Sequence, residues 1–192
     1  MTAKRLAVLV SGSGTILESI LLSGLQVALV VSDRPCKAIK IAMENDIAAQ
    51  IVLRDDFKES FDREAYSAIL TEVLKSAEID VVAMAGFGTV LGETIFKKYD
   101  SRILNTHPSL LPKYKGWHAV RDVLIAGENQ TGCTVHIATL GVDEGPIIAQ
   151  QTVEILKDDT EASLHERIKT VERVLYPKAI KSFLDNLDNK TE

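Results

Sequence analysis

Asn105 and His107 stand two residues apart, and Pro108 follows them. Proline disfavours helical geometry in the residue before it, so this segment reads as extended. In an extended chain, residues two apart share a face. An amide donor and an imidazole on one face can hold an oxygen that becomes negative during a reaction. Taken alone, the same pair also fits a polar strand end with satisfied hydrogen bonds. Asp143, in the loop Gly141-Val142-Asp143-Glu144-Gly145-Pro146, offers a carboxylate. Placed beside His107 it is expected to raise the imidazole pKa and favour the charged ring; away from it, the loop is a solvated hairpin turn. Thr134 and His136 share a face by the period-2 rule. His136 is expected to be buried, tied to a carbonyl or carboxylate, and to support the site without reacting. His118, after Gly116-Trp117, starts a helix and is either structural or part of the same pocket, while His165 is expected at the surface of a C-terminal helix.

A second kind of chemistry is suggested by Ser11-Gly12-Ser13-Gly14-Thr15, between an apolar run and an amphipathic one. A turn from strand to helix leaves backbone N–H groups free at a helix N-terminus, where anions bind. The segment lacks the lysine of a P-loop and the full dinucleotide fingerprint, so phosphate binding and a plain tight turn both remain open from the turn itself.

The elements that must position these residues follow from hydrophobic pattern. Residues 6–10, 27–31, 49–53 and 81–85 are short apolar runs that read as strands, and 15–23, 37–44 and 61–76 are helices with one apolar face. Alternation of this kind implies βαβ units and a parallel sheet. Residues 102–106 form a strand that ends at the Asn105–His107 segment, which puts that segment where ligands bind in open α/β folds. Residues 118–126 read as a helix. Residues 131–140 and 147–155 are strands joined so briefly that a hairpin is expected. Residues 160–187 are mostly helical, with an interruption expected at Pro177. The expected fold is therefore α/β: a single domain over residues 1–187, with a mostly parallel twisted sheet, Rossmann-like βαβ units and a mixed or antiparallel edge. Residues 188–192 are expected to be a frayed tail.

Composition narrows the function. A net charge of −5 argues against a general nucleic-acid binder. No apolar run nears the ~18 residues that span a bilayer, and the run at 6–10 stops too soon for a signal peptide, so a cytoplasmic protein is expected. Two cysteines, Cys36 and Cys133, make no disulfide framework, and no ligand spacing suggests zinc. No metal is expected.

In order along the chain, Val8-Leu9-Val10-Ser11-Gly12-Ser13-Gly14-Thr15, Ala85-Gly86-Phe87, Asn105-Thr106-His107-Pro108-Ser109-Leu110-Leu111-Pro112, Gly132-Cys133-Thr134-Val135-His136 and Asp143-Glu144-Gly145-Pro146-Ile147-Ile148 resemble the folate-dependent formyltransferases. The resemblance covers nearly the whole chain. Its glycine-rich start points to the branch that formylates glycinamide ribonucleotide in purine synthesis. It implies a catalytic trio of Asn105, His107 and Asp143. It implies ribonucleotide contacts at Gly14, Thr15, Ile16 and Glu172. It implies folate contacts at Arg63, Gly88, Thr89, Val90, Leu91 and Asn105, with 10-formyltetrahydrofolate as co-substrate and Thr134, His136 and His118 in support. Small-molecule partners and a monomer or homodimer are implied.

Two departures stand out. Ile16 replaces a frequent asparagine, so phosphate contacts would fall to backbone N–H groups, Thr15 or Lys169. Gly88-Thr89 replaces a common Met-Arg pair, so any folate contact through an arginine side chain there is lost. Related hydrolases carry an added N-terminal domain and methionyl-tRNA formyltransferases an added C-terminal one, and 192 residues leave no room for either. A non-catalytic folate- or nucleotide-binding module would keep the glycine turn without needing the trio.

Overall fold

Short apolar runs with few polar interruptions suit strands covered on both faces. In the computed structural model, which describes residues 4–54, 56, 58 and 60–189, they form the parallel part of one seven-stranded sheet. The strands are β1 (Leu6–Val10), β2 (Val27–Ser32), β3 (Ala49–Ile51), β4 (Val81–Met84), β5 (Ile103–His107), β6 (Gln130–Ile137) and β7 (Ile147–Glu154). Their spatial order is β3-β2-β1-β4-β5-β6-β7. β1, β2, β4 and β5 are largely covered, while the edge strand β3 is mostly exposed. β3 to β5 run parallel, and β6 and β7 add antiparallel. The chain leaves β1 towards β2 on one side and later returns to β4 on the other, which makes β1/β4 the switch point where such sheets open a crevice.

The helices are α1 (Thr15–Leu22), α2 (Lys37–Glu44), α3 (Arg63–Ser76), α4 (Glu93–Lys98), α5 (Ala119–Ile125) and α6 (Glu161–Asn189). α1, α2 and α6 bury Leu17, Ile20, Ile41, Tyr176 and Ile180 against one sheet face. α3 and α4 bury Tyr66, Leu70, Leu74 and Ile95 against the other. α5 closes a smaller core with β6, β7 and α6 around Val123, Cys133 and Ile168.

Two expectations about helices are corrected. α4 was not expected; six residues are too few for periodicity to register, and it is held from outside itself, since the Glu64 carboxylate accepts from the N–H groups of Glu93 and Thr94. α6 runs unbroken through Pro177 to Asn189, with neither the expected interruption nor a helix end before residue 188. Proline there removes the N–H that would bond the carbonyl of Arg173. The flanking Tyr176, Ala179 and Ile180 are locked in the core, and the Tyr176 hydroxyl donates to the Leu104 carbonyl at 2.9 Å. Residues 190–192 of the expected tail lie outside the described residues. Among the described residues no helix is long and apolar enough to cross a membrane.

Candidate active site

The period-2 rule places Thr106 on the α6 face of β5 and Asn105 and His107 on the opposite face. Antiparallel pairing sets Asn105 opposite His136 and His107 opposite Thr134, so four polar side chains share one patch of sheet. α3 and α4 do not extend over this patch. It is covered instead by the segment after β5 and by the loop between β6 and β7. Thr134 fastens the first of these: its hydroxyl donates to the Ser109 carbonyl at 2.6 Å and accepts from the Leu111 N–H at 3.1 Å. Gly145 fastens the second, because a side chain there would collide with the Ile137 carbonyl.

Asp143 lies in that loop in the left-handed region, φ 55°, and is 9% exposed. Its Oδ2 accepts the Gly116 N–H at 2.8 Å and stands 3.2 Å from His107 Nδ1; its Oδ1 stands 3.5 Å from His136 Nε2. The loops are also clasped by an ion pair between Lys115 and Glu144 at 3.0 Å. The expected trio is thus gathered by two loops and one strand.

Partners decide where the protons sit. A carbonyl only accepts, so the 2.7 Å contact between His107 Nε2 and the Tyr114 carbonyl puts a proton on Nε2 and leaves Nδ1 facing Asp143. By the same logic His136 Nδ1 donates to the Ile137 carbonyl at 2.9 Å, and in the neutral ring Nε2 accepts from Asn105 Nδ2 at 3.2 Å. That bond turns the amide nitrogen of Asn105 and leaves its second N–H available.

Asp143 pulls the His107 pKa upward, as the sequence leads one to expect, but burial acts against it. Burial pushes the His107 pKa below its usual value, and the upward pulls of the Tyr114 carbonyl and Asp143 do not restore it. Burial alone would raise Asp143, but the His136 contact, the Gly116 N–H and the histidine charges together hold it below the usual carboxylate range.

The glycine turn sits at the end of β1. Gly14 is the N-cap of α1, in the left-handed region at φ 79°, and gives no side-chain cap to the first-turn N–H groups. A Cβ on it would stand 2.9 Å from Ala38 Cα. Thr15 is half-buried beside it, while Ile16 is only 7% exposed and points into the core, leaving just its backbone for a ligand. Glu172 is half-buried on α6, and burial pushes its carboxyl up to about 7 against the opposing Thr106 hydrogen bond and the charges of Lys169 and Arg173.

The remaining expected residues are more dispersed. Gly88, Thr89, Val90 and Leu91 follow β4 across the crevice from the glycine turn, bridged to it where the Gly88 N–H donates to Ser11 Oγ at 2.8 Å. Val90 is exposed, Leu91 is buried, and the Thr89 hydroxyl is turned inward to Asp33. Arg63 is exposed at the start of α3. His118 is exposed at the start of α5, making no capping bond, and is not part of the trio's cluster. Sequence reasoning missed Ser11 as a bridge, the Tyr114 carbonyl as the partner of His107, and the buried Asp33. A polar pair directly after an apolar strand, Ser32-Asp33, was the available signal for the last.

Among the described residues no group of three or more His, Cys, Asp or Glu side chains is placed to hold a metal ion.

Known proteins share this arrangement. The family described as formyl transferase matches residues 4–180. The phosphoribosylglycinamide formyltransferase of Mycobacterium tuberculosis is 41% identical over 181 residues, covering 92% of this chain and 83% of that one. The trifunctional purine biosynthetic protein adenosine-3 of Drosophila melanogaster is 40% identical over 186 residues, which are 92% of this chain but 14% of that protein. Among solved structures, glycinamide ribonucleotide transformylase 1 from Symbiobacterium toebii superposes with a TM-score of 0.89 at 37% identity, covering 96% of this chain and 89% of that one. Phosphoribosylglycinamide formyltransferase from Bacillus halodurans does so with a TM-score of 0.86 at 37% identity, over 98% and 97%. With the family matched over residues 4–180, the chain belongs to the formyl transferase family.

Proposed function

We propose that this protein transfers a formyl group from 10-formyltetrahydrofolate to the amine of glycinamide ribonucleotide, a step of purine biosynthesis, in the cytoplasm. The carrying observation is the convergence of Asn105, His107 and Asp143, with the amide of Asn105 turned by His136 and both ring nitrogens of His107 engaged. The co-substrate supplies the formyl carbon that the amine attacks.

Asn105 donates its free N–H to the carbonyl oxygen as that oxygen becomes negative. The donor is oriented before the reaction, which is what makes such a group effective. His107 Nδ1 and Asp143 Oδ2 are two acceptors facing each other at 3.2 Å, and a proton between them relieves their repulsion. The pair therefore serves as the base: it takes a proton from the newly formed ammonium, directly or through water. The imidazolium so formed lies beside Asn105, and its charge adds to the stabilisation of the oxygen. The C–N bond to the folate then breaks, and the pair returns the proton to the leaving nitrogen. The attacking amine belongs to the substrate, so no covalent enzyme intermediate is required.

The turn at Gly14, Thr15 and Ile16 is proposed to bind the phosphate through backbone N–H groups, with Glu172 at the ribose. Residues 88–91 and Arg63 are proposed to face the folate; the exposed side chains of Val90, Leu140, Val142 and Trp117 on the surrounding loops suit an aromatic ligand. The test is release of deformylated folate from 10-formyltetrahydrofolate with and without glycinamide ribonucleotide. Amine-dependent release is expected. Amine-independent release would make the protein a hydrolase, and no release would leave a binding module.

A further inference from the structure

Asp33 is a fully buried carboxylate that the mechanism above does not use. It follows β2 directly, as Ser11 follows β1 and Gly88-Thr89 lie beyond β4, so three neighbouring strand ends meet around it. Its Oδ1 accepts from Arg34 Nε at 2.9 Å, and its Oδ2 accepts from Arg34 Nη2 at 3.1 Å and from the Thr89 hydroxyl at 2.8 Å. Burial would raise its pKa, but hydrogen bonds from Arg34, Thr89 and Ser11 hold it below the usual carboxylate range. Ser11 in turn accepts the Gly88 N–H at 2.8 Å, and the backbone N–H of Arg54 donates to the Asp33 carbonyl at 2.8 Å. A buried charge is costly unless its partners are fixed. Here those partners are the two sides of the crevice.

We propose that Asp33 is a positioning residue that holds the wall at residues 88–91 against the glycine turn and thereby sets the affinity for the folate. This rests on the formyl-transfer reading above. Thr89 is 2% exposed and reaches inward, and Leu91 is buried, so Val90 alone offers an exposed side chain beside the backbone of Gly88, and the shape of the wall depends on its foundation. The Trp117 ring sits against it, with Cη2 3.7 Å from where a Gly88 Cβ would stand, and it is the chain's single tryptophan. Trp117 is 82% exposed, so its emission should respond to a ligand that covers it beside this wall.

The test uses Thr89→Val, which deletes the donor at nearly constant shape, Thr89→Ser, which keeps it, and Asp33→Asn, which removes the charge. Steady-state kinetics are measured beside titration of Trp117 fluorescence with tetrahydrofolate, corrected for absorbance. Thr89→Val and Asp33→Asn are expected to raise the folate KM and the tetrahydrofolate Kd together, by about 10-fold, the scale of one lost buried hydrogen bond. For Asp33→Asn, kcat and the ribonucleotide KM should change less than about 3-fold, and Thr89→Ser, which keeps the donor, should bind the folate as the wild type does. A lowered Tm with wild-type folate KM and Kd would overturn the proposal, leaving Asp33 a fold-stabilising residue only. Equal increases in both substrates' KM would overturn it too. The two readings fail separately: wild-type protein that binds tetrahydrofolate but releases none in the assay counts against formyl transfer, and unchanged folate affinity in the variants counts against Asp33.

Discussion

The two regions of the candidate site are built by different means. On the β5–β6 side, side chains project from strands, and the pairing of Asn105 with His136 and His107 with Thr134 sets their spacing. On the β1–β4 side, the groups proposed to meet a ligand are largely backbone, at Gly14 and along residues 88–91, and they are held by a turn and by bonds to Ser11 and Asp33. Strand-borne chemistry tolerates drift in its surroundings as long as register holds. Backbone-borne binding tolerates exchange of side chains as long as the turn holds. Both departures noted in the sequence, Ile16 and Gly88-Thr89, fall on the β1–β4 side, where the proposed contacts are made by backbone.

The sharpest way to break the contrast is at the trio. Asn105→Ala removes the oriented N–H and is expected to lower kcat by ~10²–10³-fold, with the folate and ribonucleotide KM nearly unchanged. Near-normal turnover would take Asn105 out of the chemistry. Asp143→Asn should lower kcat by on the order of 10²-fold or more, since the proton-accepting pair is lost. The pH profile carries its own information. The His107 pKa is already below its usual 6.5, so the acid limb of kcat/KM should fall below that value. Asp143 pulls it upward, so Asp143→Asn should move the limb lower still. A limb that stays in place would mean that another group controls it.

On the turn side, Gly14→Ala should act on binding rather than chemistry. It forces a side chain into φ 79° and against Ala38. A loss of about 1–3 kcal/mol in stability is expected, read as chemical denaturation. The ribonucleotide KM should rise by more than 10-fold while kcat at saturation falls less. If kcat collapsed and KM stayed put, the turn would belong to the catalytic side and the division drawn here would fail.

This division also separates what the sequence revealed from what it did not. The alternation Asn105-x-His107 against Thr134-x-His136 is visible in one dimension, because a strand's period is local and survives folding. So are the glycine turn and most strands of the sheet. The pKa of His107 is not local: burial, to which the β6–β7 loop contributes from more than thirty residues away, outweighs the carboxylate brought beside it. The role of Asp33 depends on three strand ends that are adjacent only after β4 has crossed to the far side of β1. α6 continues through Pro177 because packing of Tyr176 and Ile180 overrides a local rule. Each of these depends on segments distant in the chain, and a pattern read within a window of residues has no access to it.

The smallest predicted effect probes Glu172, which lies beyond the sheet from the trio, near Thr106. Its carboxyl is pushed from 4.5 to about 7 by burial in the folded protein. A raised folded pKa means the native state keeps a proton that the unfolded chain gives up. That contribution to stability is full below about 4.5 and is lost as pH rises through about 7. Glu172→Gln cannot ionise, so its Tm should hold steady where the wild-type Tm declines. Because the residue is only half-buried, solvent softens the effect, and a divergence of about 4 °C between pH 5 and pH 8 is expected by calorimetry. The same variant keeps a hydrogen-bonding group at the proposed ribose contact, so kcat should stay near wild type. Parallel Tm curves would show that Glu172 is solvated and ordinary; diverging curves with an unchanged ribonucleotide KM would confine it to the fold and leave substrate binding to the backbone of the glycine turn.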